Sequence, residues 1–364
     1  MSKHIHGPGD VIGKRYEIRA FIDEGGMQEV YTATDTVLRR EVALKAPKNE
    51  TAAKRFRRSA VVSAKVNHPN VAKTLDYVID GDRSYLIEEL ISGRDLRKVL
   101  AREVEVLDPY LAARMFHHLC RGVSAAHHAG VMHRDLKPSN VMVLGESALS
   151  GVKITDFGIA KMAEEELIEA AEGGESSISG SKTMIGALPY MAPEAIEKAK
   201  STGQSADIWA VGAMLYEMLS GERPFGSGLP AVPNILKAEP PAKPRILNGN
   251  HQLSPLASQL FDIVLRCLNK DPKARPSADE LLRICGTLCY PLSERRFGRV
   301  RDIRYNAWGF ISDDGGSDIF FHLSSVYGAA PAEGDRVCYC CFLGGGADRA
   351  HPVLKMRPDA GAPA

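Results

Sequence analysis

The sequence has no long apolar segment, almost no net charge and an odd number of cysteines. Among its 364 residues no apolar run reaches the ~18 residues that would cross a bilayer, which argues against a helical membrane protein. Its 46 basic and 45 acidic side chains nearly cancel, which argues against a dominant polyelectrolyte partner for the chain as a whole. Because no signal peptide is recognisable and the seven cysteines are scattered, we expect buried thiols in a reducing cytoplasm.

The chain divides into stretches of different pattern. Residues 10–90 alternate as strands do, with one helical segment, and residues 91–290 have mainly the period of helices. Residues 297–357 return to short alternating strands separated by turns such as DDGG. This order predicts an α+β protein with a small β-rich lobe, a larger helical lobe and an all-β C-terminal unit. The stretch PLSERR before that unit is expected to act as a short tether.

A short loop, EGGMQ, joins two stretches that alternate like the strands of a hairpin. Its glycines, Gly25 and Gly26, would let the backbone approach a phosphate, although a tight turn uses glycine as well. A G-x-G-x-x-G loop that covers phosphates would also have glycine where this chain has Asp23 and Gln28. The loop by itself leaves open a nucleotide site and a plain hairpin.

Motifs farther along the chain supply the groups that phosphoryl transfer requires. Lys45 ends the strand-like VALK, HRDLKPSN occupies 133–140, and DFG begins at Asp156. In HRDLKPSN, Asp135 can accept the proton of an attacking hydroxyl. The side chains of Asn140 in the same motif and of Asp156 in DFG can bind Mg²⁺. Lysines can offset the negative charge that develops on the transferred phosphate. The order and spacing of these motifs favour the nucleotide interpretation of the loop.

Together with YMAPE, DIW and DPKARP, these motifs resemble the eukaryotic-type serine/threonine protein kinase family over roughly residues 10–290. The resemblance implies a two-lobed fold divided near residue 90, with ATP and Mg²⁺ as cofactors and a protein as substrate. By the family's motifs the catalytic residues would be Asp135, Lys137 and Lys45, and the metal ligands would be Asn140 and Asp156. The nucleotide would be held by Gly25, Gly26, Val30, Ala43, Lys45, Glu89 and Met142.

Two departures from the family pattern concern Lys45. The family pairs this lysine with a glutamate on a helix, but the matching position here is Ser59. In YLIEEL, Glu88 matches the position that lies at the back of the nucleotide pocket in the family, close to the lysine. We therefore hypothesise that Glu88 pairs with Lys45 in place of the missing helix glutamate. The alternative is a register shifted by one residue, which would leave Glu88 exposed and place Glu89 in the hinge.

Other departures weaken the expectation of catalysis. Gln28 replaces a third glycine, which predicts weaker phosphate cover, and Ala187 stands where the family usually has a threonine. The alternative function is therefore a pseudokinase scaffold or an RNA-binding regulatory protein without catalysis. The intact carboxylates and lysines favour the enzyme.

The segment between DFG and APE contains several serines and threonines. In the family, a phosphate on this segment often neutralises the positive charge of the residue beside the catalytic aspartate. In this chain that residue is Arg134. Ser181 and Thr183 are the predicted phosphorylation sites, which would make the chain a phosphoprotein. The alternative is a polar linker without a regulatory role.

The C-terminal unit is expected to display aromatic side chains on a sheet. WGF and DIFFH place Trp308 and Phe310 on one strand and Phe320 and His322 on another, and each pair faces one way. Exposed rings would stack on unpaired bases, whereas the same rings turned inward would form the core of a barrel. With EGDRV, the unit resembles the cold-shock family, a five-stranded OB-type barrel. The resemblance implies a module for single-stranded RNA or DNA at 297–357 that regulates or targets the kinase.

Overall fold

The computed structural model describes residues 4–25, 28–145, 149–157, 186–197 and 202–358. The predicted site residues Gly26, Ser181 and Thr183 lie outside these ranges. Within the described ranges, no helix is both long enough and apolar enough to cross a bilayer.

An antiparallel six-stranded sheet forms the N-terminal lobe, and its first long hairpin confirms the one predicted around EGGMQ. The alternation of the strands buries Tyr31, Leu44 and Ile87 on one face. Helix α1 (Glu50–Ser63) packs against Leu86 on the other face. The strands are β1 (Val11–Ile12), β2 (Tyr16–Glu24), β3 (Gln28–Asp35), β4 (Arg40–Pro47), β5 (Thr74–Asp80) and β6 (Arg83–Glu89), in the order β1-β2-β3-β4-β6-β5.

The helical lobe is built around two long helices. Helix α3 (Pro109–His128) begins at Asp108, whose carboxylate accepts hydrogen bonds from the backbone of Tyr110 and Leu111. Helix α5 (Gln204–Ser220) is apolar nearly all round and lies in the core. The other helices are α2 (Leu96–Arg102), α4 (Pro193–Glu197), α6 (Val232–Lys237), α7 (Ser254–Cys267) and α8 (Ala278–Cys285), and a small sheet contains β7 (Gly93–Asp95), β8 (Val141–Leu144) and β9 (Gly151–Ile154).

The C-terminal unit is a barrel of five long strands and one short strand. It closes where β12 (Asp318–His322) pairs in parallel with β15 (Arg349–Lys355), at Phe320 and Arg349. Ile311, Phe321 and Tyr339 lie inside. This arrangement agrees with an OB-like barrel, and its assignment to the cold-shock family stays a prediction. The strands are β10 (Arg295–Arg304), β11 (Trp308–Asp313), β12 (Asp318–His322), β13 (Val326–Tyr327), β14 (Arg336–Phe342) and β15 (Arg349–Lys355).

The barrel is docked on the helical lobe by buried polar contacts. Arg295 Nη2 lies 2.6 Å from Asp108 Oδ2 at the start of α3, and both side chains are almost fully buried. The Tyr327 hydroxyl donates to the main-chain oxygen of Leu219 at 2.9 Å. Asn250 Nδ2 donates to the main-chain oxygen of Ser324 at 2.7 Å and to that of Val326 at 2.9 Å.

Apolar side chains join the two units as well. Tyr327, Cys338, Leu354 and Met356 of the barrel belong to the same hydrophobic cluster as the helical lobe. Arg295, the penultimate residue of the predicted PLSERR tether, is already the first residue of β10. The stretch is therefore not a free tether, because its last two residues form part of the docked barrel.

The expectation of buried thiols holds for most of the cysteines. Five are buried, Cys341 is half-buried and Cys289 is exposed, and all seven are free thiols. Burial raises the pKa of Cys267 and that of Cys338 to about 12, so these two thiols stay protonated near neutral pH.

Candidate active site

One face of the N-terminal sheet brings together four of the predicted site residues. Across the strands Val30 lies opposite Lys45, and Ala43 lies opposite Glu88. Directly opposite residues share a face, and Ala43 and Lys45 are two residues apart on β4, so all four project in one direction. We call Val30, Ala43, Lys45 and Glu88 the lysine face. The reverse side of these strands is apolar core.

Lys45 is held between two carboxylates. Its Nζ lies 2.5 Å from Glu88 Oε2 and 2.7 Å from Asp156 Oδ1. Only 6% of Lys45 and 5% of Glu88 are exposed, so the expected contact is present and the alternative register with an exposed Glu88 is wrong. The contact with Asp156 also joins the N-terminal lobe to the DFG motif.

Burial and the lysine act in opposite directions on the two acids. Burial raises the pKa of the Glu88 carboxyl, although the Lys45 ammonium opposes that rise. Burial also works to raise the pKa of Asp156, but there Lys45 outweighs it and the pKa is lowered. Asp156 has a left-handed backbone, with φ of 62°. Few residues other than glycine adopt this conformation, and aspartate is among those enriched in it.

Glu89 projects from the opposite face of the sheet, because it pairs with Val42. Its carboxylate oxygens lie 2.6 and 2.8 Å from Lys153 Nζ. It also lines a cavity of about 440 Å³ behind the lysine face, together with Arg40 and Lys73. The Glu89 carboxylate is therefore turned away from the lysine face. A role for Glu89 in holding the nucleotide stays a prediction. Its backbone, rather than its side chain, would make the contact with the nucleotide.

Three residues of HRDLKPSN contact one another. Asp135 Oδ2 accepts from Lys137 Nζ at 2.7 Å and from Asn140 Nδ2 at 3.2 Å. Asn140 Nδ2 also donates to the Asp135 main-chain oxygen at 2.8 Å. The Thr155 N–H donates to the Asn140 main-chain oxygen at 2.9 Å, directly before Asp156. We call Asp135, Lys137 and Asn140 the catalytic-loop cluster.

The predicted metal ligands have the donor atoms that Mg²⁺ prefers. Since the amide nitrogen of Asn140 faces Asp135, its amide oxygen is turned elsewhere, where the Ser139 hydroxyl approaches it, at 3.4 Å. Asp156 contributes carboxylate oxygens. Mg²⁺ takes oxygen ligands and commonly uses one or two protein side chains together with substrate phosphates. Asn140 and Asp156 therefore fit an Mg²⁺ ion that also binds phosphate.

Asp207 supports the catalytic loop, a role that the sequence analysis missed. Its buried carboxylate accepts from the backbone N–H groups of His133 and Arg134, at 2.9 and 2.8 Å. His127 Nε2 lies 2.9 Å from the same carboxylate. Burial opposes ionisation of Asp207, but the contact with His127 outweighs it and its pKa is lowered. The DIW motif was the available signal, since it marks Asp207 at the start of α5.

The remaining predicted nucleotide residues lie in both lobes. The Gly25 N–H donates to the Gln28 main-chain oxygen at 2.8 Å, which closes the turn. Gln28 Oε1 is buried without a hydrogen-bond partner among the described residues. Val30 on β3 and Met142 on β8 are half-buried. Their role in nucleotide binding stays a prediction.

The barrel carries its aromatic side chains on the outside. Trp308, Phe310 and Phe320 are half-buried, and their ring centroids lie 5.9 to 6.1 Å apart. The residues that follow Phe310 and Phe320, Ile311 and Phe321, point into the barrel and are fully buried. The alternative that the predicted aromatics form the core is therefore wrong. We call Trp308, Phe310, Phe320 and the exposed His322 the aromatic face.

Cations and one further ring border the aromatic face. The guanidinium of Arg301 lies 4.8 Å from the Phe310 centroid, and that of Arg304 lies 5.2 Å from the Trp308 centroid. Tyr305, which is 90% exposed, lies with its ring centroid 6.4 Å from that of Trp308. The sequence analysis did not single out these three residues, because their proximity depends on the β10–β11 turn.

Within the described residues, the helical lobe does not pack on the aromatic face. The aromatic face lies on β11 and β12, whereas contacts with the helical lobe come from the start of β10 and from β13, β14 and β15. The docking surface and the aromatic face therefore use different walls of the barrel.

Comparison with known proteins covers the two lobes. Residues 16–284 match the protein kinase domain family. A probable serine/threonine-protein kinase of Corynebacterium efficiens is 35% identical over 276 residues, which are 73% of this chain and 40% of that protein. Serine/threonine-protein kinase PkaA of Streptomyces coelicolor is 33% identical over 247 residues, or 66% of this chain and 42% of PkaA. Serine/threonine-protein kinase pkn3 of Myxococcus xanthus is 33% identical over 284 residues, or 76% of this chain and 50% of pkn3. The chain thus spans half or less of the length of these relatives.

Proposed function

Because the chain belongs to the protein kinase family, we propose that it uses ATP and Mg²⁺ to phosphorylate serine or threonine side chains of proteins. The observation that carries this proposal is the joint presence of the catalytic-loop cluster and the Lys45–Asp156 contact between the lobes. A degenerate scaffold would not need to keep both.

Each residue has a distinct part in the proposed reaction. Asp135 accepts the proton of the substrate hydroxyl while that oxygen bonds to the γ-phosphorus, the bond to the β,γ-bridging oxygen breaks, and ADP departs. Lys137, held at Asp135, offsets charge on the transferred group. Asn140 and Asp156 would hold an Mg²⁺ ion, which would supply positive charge against the phosphates. Lys45 contacts the phosphates from the N-terminal lobe.

Autophosphorylation tests the proposal. The purified chain, with labelled ATP and Mg²⁺, should incorporate phosphate on serine or threonine, with Ser181 and Thr183 as the expected sites. Asp135→Asn should lower the rate at least roughly 100-fold, because general-base catalysis contributes at least that factor. Asp82→Asn, in an exposed turn of the N-terminal lobe, is the matched control. No incorporation by the unaltered chain would favour the non-catalytic scaffold, and equal incorporation by Asp135→Asn would indicate a contaminating kinase.

A second proposed function is binding of single-stranded RNA or DNA by the barrel. The supporting observation is the aromatic face, where three rings on the outside of the barrel form one cluster flanked by guanidinium groups. Stacking on such rings is worth ~1–3 kcal/mol per base. Trp308→Ala should therefore weaken binding of a fluorescent oligonucleotide by about one to two orders of magnitude. Leu292→Ala, an exposed apolar residue before the barrel, should not. No binding of RNA or DNA at low salt would reject this function.

A further inference from the structure

Helix α1 offers no carboxylate close to the position that matches the family's helix glutamate. The helix runs from Glu50 to Ser63, and its acidic residue is Glu50 in the first turn. Ser59 lies nine residues later, which is roughly 13 Å along the axis of a helix. A partner for Lys45 must therefore come from another element.

The sheet supplies that partner. Strands β4 and β6 are direct neighbours, and the pair Ala43 and Glu88 sets their register. Lys45 is two residues farther along β4 on the same face, and this places its ammonium 2.5 Å from Glu88 Oε2. The backbone hydrogen bonds of the sheet thus hold both members of the pair.

The geometry leaves Lys45 able to bind a ligand. An ammonium group has three N–H donors, and the contacts with Glu88 and Asp156 use two of them. If Asp156 served as a metal ligand, Glu88 would still hold the lysine as its anionic partner. Separating the two side chains would leave each charge buried without a partner, which is strongly unfavourable. The paired arrangement of Lys45 and Glu88 is therefore the dominant one.

We infer that Glu88 is the residue that positions Lys45 for the phosphates of ATP, and that this positioning does not depend on helix α1. The inference rests on the proposed kinase function, because it assigns Lys45 to ATP. It makes Glu88 a positioning residue that acts through the lysine. It also means that displacement of α1 by a partner would leave the lysine in place.

The first test compares Glu88→Gln with Glu103→Gln. Like Glu88, Glu103 is buried and pairs with a cation, but its partner is Arg94 and it lies in the helical lobe. Glu88→Gln should raise the KM for ATP and the Kd of a fluorescent ATP analogue at least 10-fold, with a smaller effect on kcat. Glu103→Gln should change each less than twofold. The melting temperature of each variant separates misplacement of the lysine from loss of the fold.

A second variant keeps the charge and protects the test against misfolding. Glu88→Asp shortens the side chain by one methylene and should give a rise in KM between those of the unaltered chain and Glu88→Gln. On the acidic side of the pH profile, the fall in kcat/KM should move to a different pH in Glu88→Asp. In Glu88→Gln the part of that fall caused by protonation of Glu88 should be absent. Unaltered KM and Kd in both variants would overturn the inference.

Independence from the helix has its own test. Val61 is an exposed residue of α1, and Val61→Gly loosens the helix without changing its buried side. The KM for ATP should stay within twofold of the unaltered value. A rise of fivefold or more would show that α1 holds the lysine after all. If the unaltered chain binds nucleotide but transfers no phosphate, the proposed function fails, while the Kd comparison still decides the role of Glu88.

Discussion

The lysine face and the aromatic face represent two opposite ways to build a site. On the lysine face the chemistry comes from buried charges, and Lys45 is locked between Glu88 and Asp156. On the aromatic face the chemistry comes from half-buried rings and exposed guanidinium groups, which no other described part of the chain packs against. Buried charges must be fully paired, so such a site has few arrangements and tolerates few changes. Exposed rings interact weakly with one another, so each can be altered at small cost to the fold.

The largest expected effect comes from Asp207, which supports the catalytic-loop cluster. Asp207→Asn leaves the N–H groups of His133 and Arg134 without their charged acceptor. Displacement of the loop should lower autophosphorylation by roughly 100-fold. Oligonucleotide binding should stay unchanged, because the described docking contacts of the barrel are with the start of α3, the end of α5 and Asn250 rather than with this loop. Unchanged autophosphorylation would mean that the loop keeps its shape without this carboxylate.

The next effect tests the boundary between the two regions. Arg295→Met leaves Asp108 buried and uncompensated, which should cost ~3–5 kcal/mol of unfolding free energy. Chemical denaturation followed by circular dichroism measures this loss. The double variant Arg295→Met with Asp108→Asn should recover most of it, because asparagine can still cap α3. Equal stability of the single and double variants would show that the charge pair does not hold the barrel in place.

A smaller effect is expected on the aromatic face. Exposed cation–π contacts are worth ~0.5–1 kcal/mol, so Arg304→Ala should weaken oligonucleotide binding about two- to fivefold. Arg299→Ala, on the same strand but with its guanidinium on the Gly334 carbonyl, serves as the control. Residues 298–357 contain seven Arg or Lys and seven Asp or Glu residues, so binding should also depend only weakly on salt. A steep salt dependence would point to a site other than the aromatic face.

The smallest effect concerns helix α3, which links the docked barrel to the catalytic loop. Burial lowers the pKa of His118 to about 4, below the ordinary value near 6.5. Between these two pH values the unfolded chain binds a proton that the folded chain does not, so stability should fall as the pH drops through that window. His118→Gln should remove part of this fall, as measured by urea midpoints at several pH values. His128→Gln, on the exposed end of the same helix, should not.

Much of the local structure was predictable from sequence. The alternation of YEIRAFI and VYTATD predicts the β2–β3 hairpin, and the spacing of Trp308 with Phe310 and Phe320 with His322 predicts pairs that share a face. The motifs around Asp135 and Asp156 predict which chemical groups are available, and family comparison agrees with them. These features depend on backbone period and side-chain identity, and a short stretch of sequence contains both.

Contacts between distant residues were decided only by the tertiary structure. Two adjacent glutamates, Glu88 and Glu89, look alike in sequence, yet one is buried against Lys45 and the other pairs with Lys153 on the reverse side. No local pattern connects Arg295 with Asp108, and that pair turns an expected tether into a docked barrel. The sequence by itself determined the secondary structure and the available side chains. Packing decided which charges became partners, because burial penalises every unpaired charge and leaves only the arrangements in which distant residues compensate one another.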